Sequence, residues 1–440
     1  MLVIGAGLAG SEAAWQLAQR GIPVRLFEMR PERSSPAHEG ADFAELVCSN
    51  SLRAAGLGNA VGLLKEEMRR LGSLVLRAAD ACAVPAGRAL AVDREAFARH
   101  VTDAIESHPL VEVRRELVPA LPEADSVILA TGPLTAPELA RELQGLCGEE
   151  SLYFYDAVAP IVYADSVDSE VAFRASRWEE GEGDYWNLPL ERDAYEAFVD
   201  ALIAADTVAL HPFEQALYFE GCLPIEEMAR RGRETLAHGP MKPVGLLDPR
   251  TGRRPWAVAQ LRHEDKQGAL YNLVGFQTKM RVTDQQRVFR SLPGLGGAVF
   301  ARYGSVHRNT YLNAPRQLEP DLQLRARPGV RVAGQMAGVE GYVESAALGG
   351  LAGLFAAVAA RGETPPLPPE TSAHGALLRH LRDADPRHFQ PMNVNWGLFP
   401  VLAPAPGARR EKRVERNARL AERALADLAL WLDAVGARPA

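Results

Sequence analysis

Apolar and polar positions alternate between two periods along this chain. Residues 2–5 form a short apolar run, residues 10–20 (GSEAAWQLAQR) carry a helical period closed by Gly21, and residues 23–28 (PVRLFE) return to a strand pattern. Strand, helix and strand in that order predict a βαβ opening. From Arg30 to Gly58 the chain is rich in Pro, Ser, Gly and His but contains the apolar segment Phe43 to Cys48, which predicts an ordered loop region rather than a linker. Residues 59–72 read as a helix and Ser126 to Thr131 (SVILAT) as a buried strand. Between about 155 and 300, aromatics and strand-like pieces mixed with turn signals replace the glycine-rich patterns. Val330 to Ala333 is another strand, followed by a glycine-rich turn and a helix of small residues from Ser345 to Arg361. The tail, 409–435, reads as an arginine-rich helix with Leu420, Leu425, Leu428 and Leu432 on one face. The expected fold is α/β. A Rossmann-like split ligand-binding domain, residues 1–155 and 300–440, would be interrupted by an α/β insertion domain at 156–299 that carries Cys222.

The ligand assignment in that expectation comes from three segments. Gly5, Ala6, Gly7, Leu8, Ala9 and Gly10 spell G-x-G-x-x-G between a strand and a helix, and Glu28 ends the next strand, 18 residues beyond Gly10. The first glycine permits a tight turn, the second lets the backbone approach a pyrophosphate, and the third allows close packing of helix on strand. The helix N-terminus faces the phosphates, and Glu28 suits a ribose hydroxyl. Ala130-Thr131-Gly132 follows a strand, as the adenine-side segment of many flavoproteins does. Arg331 to Gly353 (RVAGQMAGVEGYVESAALGGLAG), with Gly334, Gln335 and Gly341, places a glycine-rich turn before a small-residue helix whose positive end can approach a flavin. Together they favour FAD over NAD as the bound cofactor, so the expectation is a Rossmann-like split FAD-binding domain with an inserted α/β domain.

Composition bounds the rest. With 440 residues, 47% hydrophobic and 24% charged, the chain can bury a large core, which excludes disorder and a small stapled scaffold. Its 4 cysteines, Cys48, Cys82, Cys147 and Cys222, have no metal-ligand spacing and fit a reduced, cytoplasmic protein, so no metal is expected. The apolar start lacks the basic region of a signal peptide, the run Ala346 to Ala360 is too short to span a bilayer, and no obligate protein partner is evident. A net charge of -7 argues against a polyanionic partner unless a basic face is locally confined.

The segments GAGLAGSEAAWQLA, EMRP, PAHEG, AELVCSNSLRA, YFEGCLPIEEMARRG, GFQTKMR, RYGSVHRNTYLNAP and AGQMAGVEGYVESAALGGLAG occur in this order through nearly the whole chain. In this the sequence resembles the folate- and FAD-dependent tRNA uracil-C5 methyltransferase family, TrmFO. The resemblance implies methylation of uridine 54 in the tRNA T-loop, with 5,10-methylenetetrahydrofolate as carbon donor, reduced FAD as reductant, and NADH or NADPH to recharge the flavin. Uracil C5 is a poor nucleophile until a thiolate adds to C6. Cys222 is the candidate nucleophile: Pro224 can occupy the first turn of the helix continuing as IEEMARR, whose N-terminus would lower the thiol pKa. The alternative is a small buried cysteine beside a cap. The resemblance implies a second functional thiol at Cys48, handling a proton or the methylene near the flavin, against a structural thiol at a strand end; Cys82 and Cys147 are read as structural.

His307, between aromatic neighbours, suits stacking on a pterin, or is an ordinary surface or core histidine. Lys279, Arg281 and Arg308 suit the folate glutamate tail or a tRNA phosphate, against solvated charge. Tyr342 and Glu344 are candidate cofactor-edge residues, against packing at a helix start. Arg409, Arg410, Lys412, Arg413 and Arg416 form the leading tRNA phosphate contact, against a solvated helix face interleaved with Glu411 and Glu415. The competing readings are a flavoprotein of the wobble-uridine tRNA modification type, whose known members are longer, and a generic FAD oxidoreductase.

Overall fold

The computed structural model describes residues 1–35, 37–148, 152–157, 159–179, 181–208, 223–402 and 412–435, with the backbone alone at 152–157 and 306–309. The opening is strand Leu2–Ile4, helix Leu8–Ala18 and strand Val24–Phe27. Leu2 pairs in parallel with Arg25 on one side and Val127 on the other, so the first strand is central. The full sheet runs Gln323–Leu324, Arg327–Val332, Val127–Leu129, Leu2–Ile4, Val24–Phe27, Val111–Arg114. Its five parallel strands have the 3-2-1-4-5 order of a Rossmann-like sheet, and the short strand at the edge is antiparallel. Val127, Ile128 and Leu129 are all fully buried, as expected for a parallel strand covered on both faces. Arg327–Val332 reaches this sheet from beyond the middle of the chain, with Val330 opposite Val127.

The small-residue helix is Tyr342–Ala359, beginning three residues before the predicted start because the glycine turn closes at Gly341 (φ +104°). It lies along the opening helix. A Cβ added to Gly349 would sit 2.1 Å from the carbonyl oxygen of Ala9, and one on Gly353 2.6 Å from that of Ala13. Its 18 residues have the length and apolarity of a membrane span, yet 83% of them are buried inside the protein, so packing accounts for their composition.

A second, antiparallel sheet comes from the middle of the chain, in the order Phe173–Arg174, Tyr185–Leu190, Ala257–His263, Leu270–Leu273, Ile161–Tyr163, Phe300–Arg302. It shares a separate core with helices Arg192–Ile203, Ile225–Arg231 and Val282–Phe289, centred on Tyr195, Phe198, Phe276 and Phe289. Strands Leu152–Ala157 and Val306–Tyr311 pair as a two-stranded ribbon that flanks this sheet in the chain. The region read as an ordered loop contains one short strand, Ser51–Ala54, in a small sheet with Ala89–Val92 and Ala83–Val84. The tail helix is Arg413–Ala434; Leu420, Leu428 and Leu432 are buried as the periodicity predicted, and Leu425 is half-buried.

Candidate functional site

The carboxyl ends of the first, second and fourth parallel strands open on to one cleft of about 1080 Å³, measured with its open mouth. This is where the strand order reverses, the position at which doubly wound sheets bind ligands. Gly5, Gly7, Leu8, Ala9, Glu28, Thr131, Gly132, Gly334, Gln335 and Tyr342 all line it. The three glycines divide their roles by geometry. Gly5 has φ +94°, and a Cβ there would lie 2.6 Å from the carbonyl oxygen of Ala130. A Cβ on Gly10 would lie 1.7 Å from the carbonyl oxygen of Gly5, whereas one on Gly7 would meet nothing within 4 Å. Gly5 and Gly10 therefore hold helix against strand. Gly7, the helix N-cap, leaves the backbone open to the cleft.

Glu28 is buried at the end of its strand, and its carboxylate is already engaged. Oε2 accepts the Ala6 N–H at 3.0 Å, and Oε1 accepts both the backbone N–H (3.0 Å) and Nε (2.9 Å) of Arg30. Arg30 also reaches Glu45 at 2.8 Å. Burial opposes the charge on Glu28, but the hydrogen bonds and charge of Arg30, with the Ala6 N–H, hold its carboxyl below the usual range. The sequence reading gave Glu28 to a ribose alone and missed Arg30. Glu28 also braces the glycine turn through Ala6, and its charge is largely neutralised in place. Ala6, Gly10, Gly341 and Glu344 stand behind the cleft wall. Glu344 is fully buried, pairs with Arg53 and accepts the Val394 N–H at 2.9 Å, so the structure gives it a bracing position away from the cavity. Arg53 has φ +62°; the buried Lys65 donates to the carbonyls of Leu52, Arg53 and Ala54 at 2.7 to 3.2 Å, and burial pushes its pKa down to about 8.

Cys48 meets the cleft through Tyr342, whose ring lines it. The Tyr342 Oη lies 2.7 Å from the Cys48 N–H nitrogen, 2.8 Å from Cys48 Sγ and 3.2 Å from the Ser49 nitrogen. The loop carrying Cys48 is fastened to the antiparallel sheet. Asn50 accepts Arg262 Nε at 3.1 Å and Nη2 at 2.9 Å, and donates to the carbonyls of Val92 (2.9 Å) and His263 (2.8 Å). Arg94 donates to the Leu46 carbonyl and, at 2.6 Å, to Glu264. Of these partners only Leu46 and Asn50 stand in a recognised segment, AELVCSNSLRA; Arg94, Arg262 and Glu264 carry no sequence motif. Tyr342 was legible as a cofactor-edge residue, but its bond to Cys48 was not.

The likeness to known proteins extends across this whole arrangement. Residues 1–364 match the family model described as glucose inhibited division protein A. A protein of Desulforudis audaxviator named "Methylenetetrahydrofolate--tRNA-(uracil-5-)-methyltransferase TrmFO" is 58% identical over 436 residues, 99% of this chain and 99% of its own. The chain belongs to the TrmFO family. The TrmFO protein of Geobacter sulfurreducens is also 58% identical, over 434 residues covering 98% of this chain and 99% of its own. Among solved structures, Aquifex aeolicus GidA in its form II crystal superposes with a TM-score of 0.68 at 17% identity, covering 98% of this chain and 73% of that one; this likeness concerns the fold.

The described ones among the remaining predicted positions of this TrmFO-family chain fall on the two-stranded ribbon, just before the helix Val282–Phe289 and at the start of the tail helix. Cys222, Arg409 and Arg410 lie outside the described residues. The helix after Cys222 runs Ile225–Arg231, and Pro224 is its N-cap rather than part of its first turn. With seven residues and Glu226 and Glu227 in the first turn, it offers a thiol less positive potential than the sequence reading assumed. Lys279 is buried and bonds Glu227 at 2.7 Å, while Arg281 is an exposed N-cap of Val282–Phe289. His307 and Arg308 occupy the ribbon opposite Asp156 and Tyr155. Lys412, Arg413 and Arg416 are all exposed at the start of the tail helix.

Proposed function

We propose that this chain methylates C5 of uridine 54 in the tRNA T-loop, taking the carbon from 5,10-methylenetetrahydrofolate. The observation that carries the reading is the glycine-built cleft with a thiol set against its wall, in a chain 58% identical end to end to proteins named for this methyl transfer. The cleft fits FAD. Gly7 presents open backbone at a helix N-terminus for a pyrophosphate, and Glu28 holds the turn that places it. Thr131, Gly132, Gly334, Gln335 and Tyr342 would line the rest of the cofactor's bed. Bound there, FAD supplies the electrons that turn the transferred methylene into a methyl group, and NADH or NADPH restores them.

This chain's residues then have separable duties. The Cys222 thiolate adds to uracil C6, which places negative charge on C5 and makes it nucleophilic. Cys48, fixed by Tyr342, handles a proton beside the flavin. His307 stacks on the pterin, and Arg281, with Lys279 behind it, meets the anionic tail of folate. Arg308 and the exposed Lys412, Arg413 and Arg416, extended in sequence by Arg409 and Arg410, hold tRNA phosphates, the tail supplying a local concentration of basic charge in an acidic protein. Residues 1–155 and 300–440 act as the cofactor domain, and 156–299 as the domain that brings Cys222 to the base. The chemistry places the protein in the cytoplasm with its tRNA.

The test is trapping. Yellow holoenzyme mixed with tRNA containing 5-fluorouridine should yield a covalent protein–RNA species that Cys222→Ser abolishes. A folded, yellow wild-type protein that forms no such species would overturn the reading.

A further inference from the structure

The phenol of Tyr342 meets three polar groups at once: the N–H of Cys48 (2.7 Å), the N–H of Ser49 (3.2 Å) and Sγ of Cys48 (2.8 Å). An amide N–H can only donate, so the oxygen's two lone pairs are committed to the two backbone groups. What the phenol has left is its own hydrogen, and the sulfur is the group within its reach. Donation in the other direction would bring three donors on to one oxygen and leave a buried O–H without an acceptor. The bond therefore runs from Oη–H to Sγ. A hydrogen bond received by sulfur favours the thiolate over the thiol.

The surrounding charges act in the same direction. Arg94, from the helix Arg94–Glu106, faces both Cys48 and Tyr342, and its guanidinium is fixed by the Leu46 carbonyl and by Glu264. Glu264, on the antiparallel-sheet side, offsets part of that positive potential. Arg262 from the same side donates to Ser49 Oγ at 2.9 Å and adds to it. Burial keeps the proton on Tyr342, well above the usual phenol range, so the tyrosine stays a donor while the sulfur is ionised.

We propose that Tyr342 is a positioning residue which, by donating its phenolic hydrogen to Sγ, holds Cys48 as a thiolate at the edge of the cofactor cleft. The S–H proton passes to water, Tyr342 keeps its own, and Cys48 enters turnover as a proton acceptor. Only this last consequence rests on the proposed function; the ionisation is a property of the resting protein.

The experiment is site-resolved alkylation of the holoenzyme by iodoacetamide across pH, with the Cys48 peptide quantified by mass spectrometry. The buried Cys82, whose thiol burial pushes up, serves as internal reference. In the wild type, Cys48 should react with a midpoint below the ordinary thiol value of about 8.5. Tyr342→Phe keeps the ring and removes the hydroxyl that donates to Sγ and accepts the Cys48 and Ser49 N–H groups, so the midpoint should rise by about one unit, with roughly tenfold slower labelling at neutral pH. A wild-type midpoint at or above that of an ordinary thiol overturns the proposal, and needs no variant to fold. So does a Phe variant whose profile superimposes on the wild type. Loss of the tRNA reaction with a low Cys48 midpoint intact would refute the proposed function and leave this inference standing.

Discussion

Two regions of the molecule build their parts of the site by different means. Along the parallel sheet the cleft is made by backbone: Gly5 at φ +94°, Gly10 against the Gly5 carbonyl, Gly7 open to the cavity. At the junction with the antiparallel sheet, the Cys48 loop is set by side chains that meet across 294 positions (Cys48 and Tyr342), 212 (Asn50 and Arg262) and 170 (Arg94 and Glu264). Backbone construction tolerates almost no change at a few positions. Side-chain construction spreads its control over several partners, and each partner can be removed separately.

The largest effect should come from the backbone side. Gly10→Ala drives a methyl group into the Gly5 carbonyl oxygen, which neither helix nor strand can yield, and should cost more than about 4 kcal/mol with loss of the yellow cofactor. Chemical unfolding and flavin absorbance report both. A variant that remains stable and yellow would show that the turn is not built by close approach. At the junction, Asn50→Ala takes from the buried Arg262 guanidinium its two bonds to Asn50, leaving it Ser49 Oγ, and removes the amide that donates to the Val92 and His263 carbonyls. About 3 kcal/mol of stability should be lost, but flavin binding to the folded protein should persist, because Asn50 is not part of the cleft lining. Equal loss of flavin in both variants would erase the distinction between the two regions.

That distinction also explains how much was legible in the sequence. A glycine required by φ or by close approach leaves a fixed spacing, so Gly5, Gly10, Gly132 and Gly334 were readable, as was the βαβ opening around the first two. The partners of Arg30, Arg94, Asn50 and Arg262 were not, although Arg30 and Asn50 stand inside the segments EMRP and AELVCSNSLRA. Each is a common residue type whose partner is chosen by tertiary packing, and no local period records the choice. Glu344 shows the reverse case: a charged residue in a cofactor-like segment suggested an edge position, but folding turned its carboxylate on to Arg53 and the Val394 N–H. The small-residue helix was legible as a helix, while its reason, glycines against the opening helix, depends on a neighbour more than 300 positions away.

The smallest effect on folding should come from the tail. Reversing Lys412, Arg413 and Arg416 to Glu alters exposed positions and should leave the unfolding midpoint nearly unchanged. Affinity for tRNA should fall about tenfold at low salt, and the salt dependence should flatten by about one unit for each phosphate that is no longer neutralised. Unchanged affinity with an unchanged salt slope would move the RNA-binding face away from this helix.

The destination of the carbon decides between methyl transfer to tRNA and a generic flavin oxidation, and isotope transfer reads it directly. Yellow holoenzyme, unmodified tRNA, NADH or NADPH, and methylenetetrahydrofolate carrying a labelled methylene should yield labelled 5-methyluridine in the T-loop fragment. Folded, yellow protein that oxidises the nicotinamide but leaves that uridine unlabelled would show that tRNA is not the methyl acceptor.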